Sequence, residues 1–570
     1  MSDVNLGLAR SLVDEWARAG VTTAVLSPGS RSAPLALALA ADDRIRLHVF
    51  LDERSASFFA LGEAKASRRP VIILTTSGTA AANVHPAVLE AHHSRVPLVV
   101  CTADRPPELR DTGAGQAIDQ IKLYGDAIRW FCEVGVPEDR DGAGAYWRSV
   151  AARAVTTAAG PPAGPAHLNL AFREPLIPTG EKPAGVEGRA GGAPWVTSSP
   201  RPALASSDEV ERLIEAVGRS ERGVLVAGWG SDVDSATVQR FVAAVGWPLL
   251  ADPLSGLRAG DQAISTYDAL LRSADFGGRH QPDLVVQLGA PLTNKPAMTW
   301  LSAPDHLRIL IDPDGAWLDP QRAAGERLTS SATDLFKAVV EKLAGAQVRN
   351  EEWLGQWLGA EASARKAIDD LIDGWDQPFE GRVARDVAAG LDDGGALVVG
   401  SSMPVRDVES FARPRSGVRI LANRGVNGID GFVSTALGVA SGSDAPVVAL
   451  TGDLAFLYDA GGLLDAARRG LNVTFVVLDN AGGGVFSFLP QAQLPEHFEA
   501  LFGTPHHVDL VALAEVHGLG ARRVTRAGDV MPVVELAIKE GGVQVVVVPT
   551  DRADNVRRHQ QVWDAVTARV

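Results

Sequence analysis

Apolar residues in this chain cluster in short runs, separated by longer stretches in which they recur every three or four positions. The runs lie at 23–26, 71–74, 97–101 and 167–170, then at 223–227, 284–288 and 307–311, and last at 396–399, 418–421, 447–450, 473–478 and 543–548. Continuous apolar runs without alternation are strands buried on both faces, and the amphipathic stretches between them are the crossover helices that cover those faces. The pattern predicts an α/β protein of doubly wound parallel sheets. Leu6, Ala9, Leu12 and Trp16 mark one face of a helix at the start of the chain, and its acidic residues argue against a signal peptide. From 178 to 202 the composition turns to Pro, Gly and Ser, which reads as a linker, and a polar, Trp-bearing helical stretch at 351–375 leads into the last unit. The expected organisation is a domain at 1–180, a linker at 181–203, a middle domain at 204–350, a helical connection at 351–375 and a domain at 376–570.

A chain of 570 residues exceeds what one core supports and suggests about three domains. The net charge of -15 argues against nucleic acid as partner, because a phosphate backbone needs a basic face. It also makes any local arginine cluster more telling. The only two cysteines, Cys101 and Cys132, have no metal-like spacing, which fits a reducing cytosol and excludes a disulfide scaffold. No apolar run approaches bilayer length.

Candidate chemistry centres on 447–489. An apolar strand ends at Thr451-Gly452-Asp453, a helical stretch with Leu463, Leu464 and Ala467 on one side follows, and a second strand ends at Asp479-Asn480 before Ala481-Gly482-Gly483-Gly484. Asp453 and Asn480 then lie at carboxyl ends of parallel strands, the edge where open α/β sheets bind ligands. One carboxylate, one amide oxygen and a backbone carbonyl suit magnesium, which fills its shell with phosphate oxygens and water. Read alone, Gly452-Asp453 is equally an ordinary strand-to-helix turn. In the first domain, Ser27-Pro28-Gly29-Ser30-Arg31-Ser32 places hydroxyls and a guanidinium at a helix start, an arrangement for anions. Asp52-Glu53-Arg54 opens a helix, where a glutamate ordinarily complements the dipole. The small-residue segment Thr75–Asn83 would admit a flat ring, whereas His92-His93 reads as the polar end of a helix. Gly228-Trp229-Gly230 lacks the third glycine of a dinucleotide fingerprint, and Gly113-Ala114-Gly115 follows no strand.

Gly-Asp, a crossover and Asn together resemble the diphosphate motif of thiamin-diphosphate enzymes, with Leu454 where many relatives carry Gly and Asp479 where many carry Asn. The series SPGSRSAPL, DERSASFFALG, TSGTAAAN, TADRPPELRDTGAGQAI, ANRGVNGIDG, GDLAFLYD and DNAGGGVFSFLP, in this order, resembles the 2-succinyl-5-enolpyruvyl-6-hydroxy-3-cyclohexene-1-carboxylate synthases, the thiamin-diphosphate enzymes of menaquinone biosynthesis. The likeness spans both outer domains and is thin over the middle one, where it rests on length and Leu292-Thr293-Asn294-Lys295. It implies a thiamin-diphosphate-binding fold with a pyrimidine domain first and a diphosphate domain last. It also implies thiamin diphosphate with Mg2+ or Mn2+ as cofactor, 2-oxoglutarate and isochorismate as substrates, and a cytoplasmic homodimer or homotetramer with sites at the subunit interface. Glu53 would hydrogen-bond the aminopyrimidine ring, and Asp453, Asn480 and the Gly482 carbonyl would hold the metal. Ser77, Gly78, Ser401, Leu454 and Val485 would line the cofactor. Ser30, Arg31, Arg105, Gln116, Lys295, Ser402, Arg406 and Arg424 would meet the substrates, with Phe486 and Leu489 as an apolar wall. The competing readings are another thiamin-diphosphate 2-oxoacid enzyme, such as an acetolactate-synthase-like ligase or a decarboxylase, and a catalytically dead binding protein on the same fold.

Overall fold

The computed structural model describes residues 4–178, 187–198, 204–231, 233–343 and 350–570. Strands β1 (Thr23–Leu26), β2 (Arg46–Val49), β3 (Val71–Thr75), β4 (Leu98–Asp104), β5 (Trp130–Glu133) and β6 (Pro165–Ala171) form a first sheet in the order β2-β1-β3-β4-β6-β5. Strands β7 (Gly223–Ala227), β8 (Leu249–Ala251), β9 (Leu284–Leu288), β10 (Leu307–Ile311) and β11 (Glu326–Leu328) form a second, ordered β11-β10-β9-β7-β8. Strands β12 (Ala396–Val399), β13 (Arg419–Leu421), β14 (Val447–Gly452), β15 (Val473–Asp479), β16 (Gly520–Arg523) and β17 (Val543–Pro549) form a third, ordered β13-β12-β14-β15-β17-β16. The strand pairs are parallel, for example Ala449 with Phe475 between β14 and β15, as the run pattern predicts.

Central strands such as Val71–Thr75 and Leu98–Asp104 are buried along their whole length, because helices cover both faces. The strands that the apolar runs do not mark, β2, β5, β8, β11 and β16, are all at sheet edges. An edge strand is short or faces solvent, so it needs no apolar run; β2 and β16 are exposed at both ends.

The described chain falls into two compact units. One comprises 1–201 with 423–444 and 455–471; the other comprises 202–422 with 445–454 and 472–570. In the first unit the helix Val4–Arg18 buries Leu8, Leu12 and Trp16 against the first sheet, together with Trp147 and Val150 from the helix Ala143–Ala159. In the second unit Trp353 and Trp357 of the helix Glu351–Ile372 are buried with Phe276, Trp300 and Tyr267. The stretch that reads as a polar connection thus carries a hydrophobic seam. Of the expected linker, residues 187–198 are described and lie in the first unit, where Arg18 Nη1 donates to the Arg189 carbonyl at 2.8 Å; the parts at 181–186 and 199–203 lie outside the described residues.

The crossover after β14 corrects the sequence reading. It is a short helix, Asp453–Tyr458, followed by two 3-10 turns, Ala460–Leu463 and Ala466–Arg468, rather than one helix carrying Leu463, Leu464 and Ala467 on one side. Gly461-Gly462 is a weak helix former, Asp459 turns inward to accept the Ser434 N–H at 2.7 Å, and Asp465 adopts a left-handed φ of 58°.

A buried polar chain runs under the first sheet's carboxyl edge. Thr102 Oγ1 lies 2.8 Å from His167 Nε2 and donates to Asn169 Oδ1 at 2.8 Å, and Gln120 Nε2 donates to the same oxygen at 2.9 Å. Burial pushes the His167 imidazole from 6.5 down to about 3. The unfolded chain therefore takes up a proton below 6.5 that the folded protein refuses, so His167 contributes stability that is full above 6.5 and lost as pH falls. The Tm advantage of wild type over His167→Gln should be greatest near about pH 7.5 and narrow toward about pH 5, with a slope of up to about 1.4 kcal/mol per pH unit. Thermal denaturation of both proteins across this range checks it; a gap that stays constant or widens contradicts the assignment.

Candidate active site

The carboxyl edge of the third sheet presents β14 and β15 side by side. Asp453 directly follows β14 and is 1% exposed. Its Oδ1 accepts the Leu454 N–H at 2.6 Å and its Oδ2 accepts the Gly482 N–H at 2.8 Å. Burial raises its pKa, and the Gly482 and Leu454 N–H groups and His506 oppose that rise. Asn480 follows β15. Its Nδ2 donates to Glu380 Oε1 at 2.9 Å, which leaves Oδ1 buried with no partner. An unpaired buried amide oxygen is costly, and here it lies at the edge that also carries a desolvated carboxylate. At Gly482 φ is 149°, and an added Cβ would meet the Gly503 carbonyl oxygen at 2.2 Å, so only glycine places a carbonyl on this turn. The orphaned amide oxygen and the charge-bearing carboxylate fit a hard divalent cation.

Two side chains that the sequence reading left out of this set also converge here. His506 Nε2 is 3.2 Å from Asp453 Oδ2, and among the described residues Asp453, Asp479 and His506 bring ligand atoms within 4.8 Å of one another. Glu380 is the other: buried beside Asp407, its carboxyl is pushed up to about 7, burial being the larger cause, and it accepts from both Asn480 and Thr550 Oγ1. A glutamate opening a helix gives no local signal of this, since it reads as a dipole partner.

In the same unit, a cavity of about 1140 Å³ is lined by Lys295, Met403, Arg406, Val485, Phe488 and Leu489, among others. Asn294 caps the helix Lys295–Trp300 through the Ala297 N–H at 2.7 Å and donates to Asp268 Oδ1 at 2.6 Å, which sets Lys295 at the cavity wall. Ser402 precedes the helix Met403–Phe411, and the guanidinium of Arg406 folds back onto the Ser401 and Ser402 carbonyls. Burial lowers the pKa of Arg406. Phe488 forms the wall, whereas Phe486 packs toward Phe502 with ring centroids 5.7 Å apart. Ser401 is buried at the turn after β12.

In the first unit, Gln116 and the loop after β3 clasp each other. Gln116 Nε2 donates to the Ser77 carbonyl at 3.0 Å and Ser77 Oγ donates to the Gln116 carbonyl at 2.8 Å. Gly78 N donates to Gln120 Oε1 at 3.0 Å. Arg105 Nη2 donates to the Gly115 carbonyl at 2.9 Å. Arg31 donates to the Phe172 carbonyl at 2.9 Å, and its pKa is depressed by burial and then by the Arg105 charge. Ser30 is exposed beside it. Glu53 opens the helix Glu53–Ser67, capped by Asp52, and accepts from Asn83 Nδ2 at 3.4 Å. Arg424 is half-buried in the loop before the helix Phe432–Ser441.

A carboxylate and an amide oxygen at adjacent strand ends, on a fold of parallel sheets, fit a thiamin-diphosphate-dependent enzyme, and the comparisons show that the chain is one. Residues 7–123 match the family "Thiamine pyrophosphate enzyme, N-terminal TPP binding domain", 191–399 match "Middle domain of thiamine pyrophosphate" and 403–548 match "Thiamine pyrophosphate enzyme, C-terminal TPP binding domain". The chain is 44% identical to the 2-succinyl-5-enolpyruvyl-6-hydroxy-3-cyclohexene-1-carboxylate synthase of Geobacillus kaustophilus (strain HTA426), covering 100% of this chain and 99% of that one. It is 47% identical to the enzyme of the same name from Thermobifida fusca (strain YX), covering 99% of each. The chain belongs to the 2-succinyl-5-enolpyruvyl-6-hydroxy-3-cyclohexene-1-carboxylate synthase family.

The buried Asp453 carboxylate has different consequences with and without a cation. Asp453→Asn removes a desolvated charge but turns an NH2 toward the Leu454 or Gly482 N–H, so the Tm of the protein alone should change little. The rise in Tm on adding thiamin diphosphate should become weak and demand far more magnesium. A thermal-shift titration of magnesium at fixed thiamin diphosphate reads both; an unchanged magnesium requirement contradicts the metal assignment.

Proposed function

We propose that this enzyme decarboxylates 2-oxoglutarate and adds the resulting succinyl carbanion equivalent to isochorismate in a 1,4 sense, giving 2-succinyl-5-enolpyruvyl-6-hydroxy-3-cyclohexene-1-carboxylate in menaquinone biosynthesis. The full-length likeness to synthases of that name supports the reaction. The observation that carries the substrate reading is the cavity in which Lys295 and Arg406 share a wall with Val485, Phe488 and Leu489. Cations beside an apolar surface suit a dicarboxylate and an unsaturated carboxylated ring.

Thiamin diphosphate, bound with Mg2+ or Mn2+, supplies the electron sink for decarboxylation and carbon–carbon bond formation. The chain's part is to hold and orient. Asp453, Asn480 and the Gly482 carbonyl would hold the metal; Ser77, Gly78, Ser401, Leu454 and Val485 would hold the cofactor's two ends. Glu53 would keep a proton at the aminopyrimidine ring. Ser30, Arg31, Arg105, Gln116, Lys295, Ser402, Arg406 and Arg424 would fix the substrate carboxylates by charge-assisted hydrogen bonds, with Phe488 and Leu489 excluding water. An acetolactate-synthase-like ligase has substrates with fewer carboxylates and would leave this many cations without a purpose. No helix among the described residues is long and apolar enough to cross a membrane, and the working compartment in this reading is the cytoplasm. The direct test supplies thiamin diphosphate, magnesium, 2-oxoglutarate and isochorismate and seeks the adduct by mass spectrometry. Turnover of pyruvate without adduct formation would favour the alternative.

Arg406→Ala should lower kcat/KM by roughly 1.5–3 kcal/mol and leave cofactor affinity unchanged; steady-state kinetics with both substrates shows whether Arg406 is a substrate contact or a helix-surface charge. The family resemblance further supports a dimer in which each site takes Glu53 from one subunit and Asp453 from the other. Glu53→Gln and Asp453→Asn homodimers should each be nearly inactive. Co-refolded, half the dimers are mixed and each mixed dimer holds one intact site, so about a quarter of wild-type sites should return. Verified mixed dimers as inactive as the parents would refute the shared site.

A further inference from the structure

The loop Asn423-Arg424-Gly425-Val426 is gripped on both sides of its arginine by one buried ion pair. Glu90, on the helix His85–Ser94, is 1% exposed. Its Oε1 accepts from Lys65 Nζ at 3.2 Å, from the Gly425 N–H at 3.0 Å and from the Ser94 hydroxyl, and its Oε2 accepts the Val426 N–H at 2.8 Å. Lys65, also buried, reaches the other side of the arginine: its Nζ donates to Asn423 Oδ1 at 3.1 Å. Asn423 Nδ2 in turn donates to Thr435 Oγ1 at 3.0 Å. Gly425 presses against the helix so closely that an added Cβ would meet Ser94 Oγ at 2.7 Å and the Glu90 carbonyl oxygen at 2.8 Å.

We infer that the Lys65–Glu90 pair is a positioning device for Arg424, fixing the backbone before and after it so that its guanidinium is presented in one place. The inference rests on the reading of Arg424 as a substrate contact given above. A buried carboxylate persists only where donors satisfy it, and two of the donors chosen here are the N–H groups of the residues directly following the arginine. Any shift of the loop strips a desolvated charge of partners, so the loop is held more stiffly than a surface turn could be. The clamp acts through Arg424, as pre-organisation of a binding group does.

Glu90→Gln tests this. The amide keeps the shape but replaces one acceptor oxygen with an NH2 that must face a backbone N–H or the lysine. It should lower kcat/KM about tenfold, mostly through KM, and speed amide exchange at Gly425 and Val426, with thiamin-diphosphate affinity in magnesium unchanged. In an Arg424→Ala background it should lower kcat/KM no further, because the group it positions is gone. Losses that multiply in the double variant overturn the inference, as does a wild-type exchange rate at Gly425 and Val426 in Glu90→Gln. If Arg424→Ala is itself kinetically silent, the substrate reading of Arg424 is what fails, and the clamp is judged by the amide exchange. Should Glu90→Gln not accumulate as folded protein, Asn423→Ala, which cuts the Lys65 link alone, enters the same cycle under the same criteria.

Discussion

A parallel strand cannot return to its neighbour through a tight turn, so each one in these sheets is followed by a crossover, and every strand-to-crossover loop falls on the same edge. The first and third sheets apply this rule with the same strand order. Their loops therefore correspond: the turn bearing Arg31 after β1 matches the Ser401–Ser402 turn after β12. Ser77 and Gly78 after β3 match Asp453 after β14, and Arg105 after β4 matches Asn480 after β15. One topology thus supplies two edges, one equipped with hydroxyls and guanidiniums, the other with a buried carboxylate and an unpartnered amide oxygen. The middle sheet repeats that order through β8-β7-β9-β10, and Lys295 follows β9, the strand that corresponds to β3 and β14.

Charge at such an edge is held out of water, and the protein bears the cost. Burial raises the Asp453, Glu380 and Asp459 carboxyls, the last two to about 7 and about 6. Each is kept in place by donors it would otherwise lack: Gly482 and Leu454 for Asp453, Asn480 and Thr550 for Glu380, Ser434 for Asp459. Asn480 shows why the arrangement is worth keeping. With its NH2 committed to Glu380, its oxygen has a fixed direction and no partner, so a cation gains a ligand that needs no reordering.

Legibility followed sequence distance. Central strands announce themselves because both faces are buried; β7, β9 and β10 coincide with the apolar runs. Most edge strands do not, being short or part-exposed, although β13 coincides with the run at 418–421. Asp453 and Asn480 were readable because each closes an apolar run, and the order of motifs then gave the family. Glu380 is 100 residues from the asparagine it orients, and Glu90 is 335 from the glycine it holds. A glutamate in a helix carries nothing in its neighbourhood to say that four donors will converge on it. The broken crossover after β14 was misread for a different reason: Leu463, Leu464 and Ala467 have helical spacing, but Gly461-Gly462 and the inward Asp459 outweigh three apolar positions.

The net charge of -15 opposes dicarboxylate substrates at long range, yet screening confines that repulsion to roughly 8–10 Å at physiological ionic strength. What an arriving anion meets is local. Burial lowers the pKa of Arg31 and the neighbouring Arg105 charge lowers it further, against the opposing pull of Glu174 and Asp104. The Phe172 carbonyl and Glu174 hold the Arg31 guanidinium, and the Gly115 carbonyl holds that of Arg105. In the proposed reading a substrate carboxylate would join Glu174, 3.7 Å from Arg31 Nη2, in offsetting the cost of burying that guanidinium.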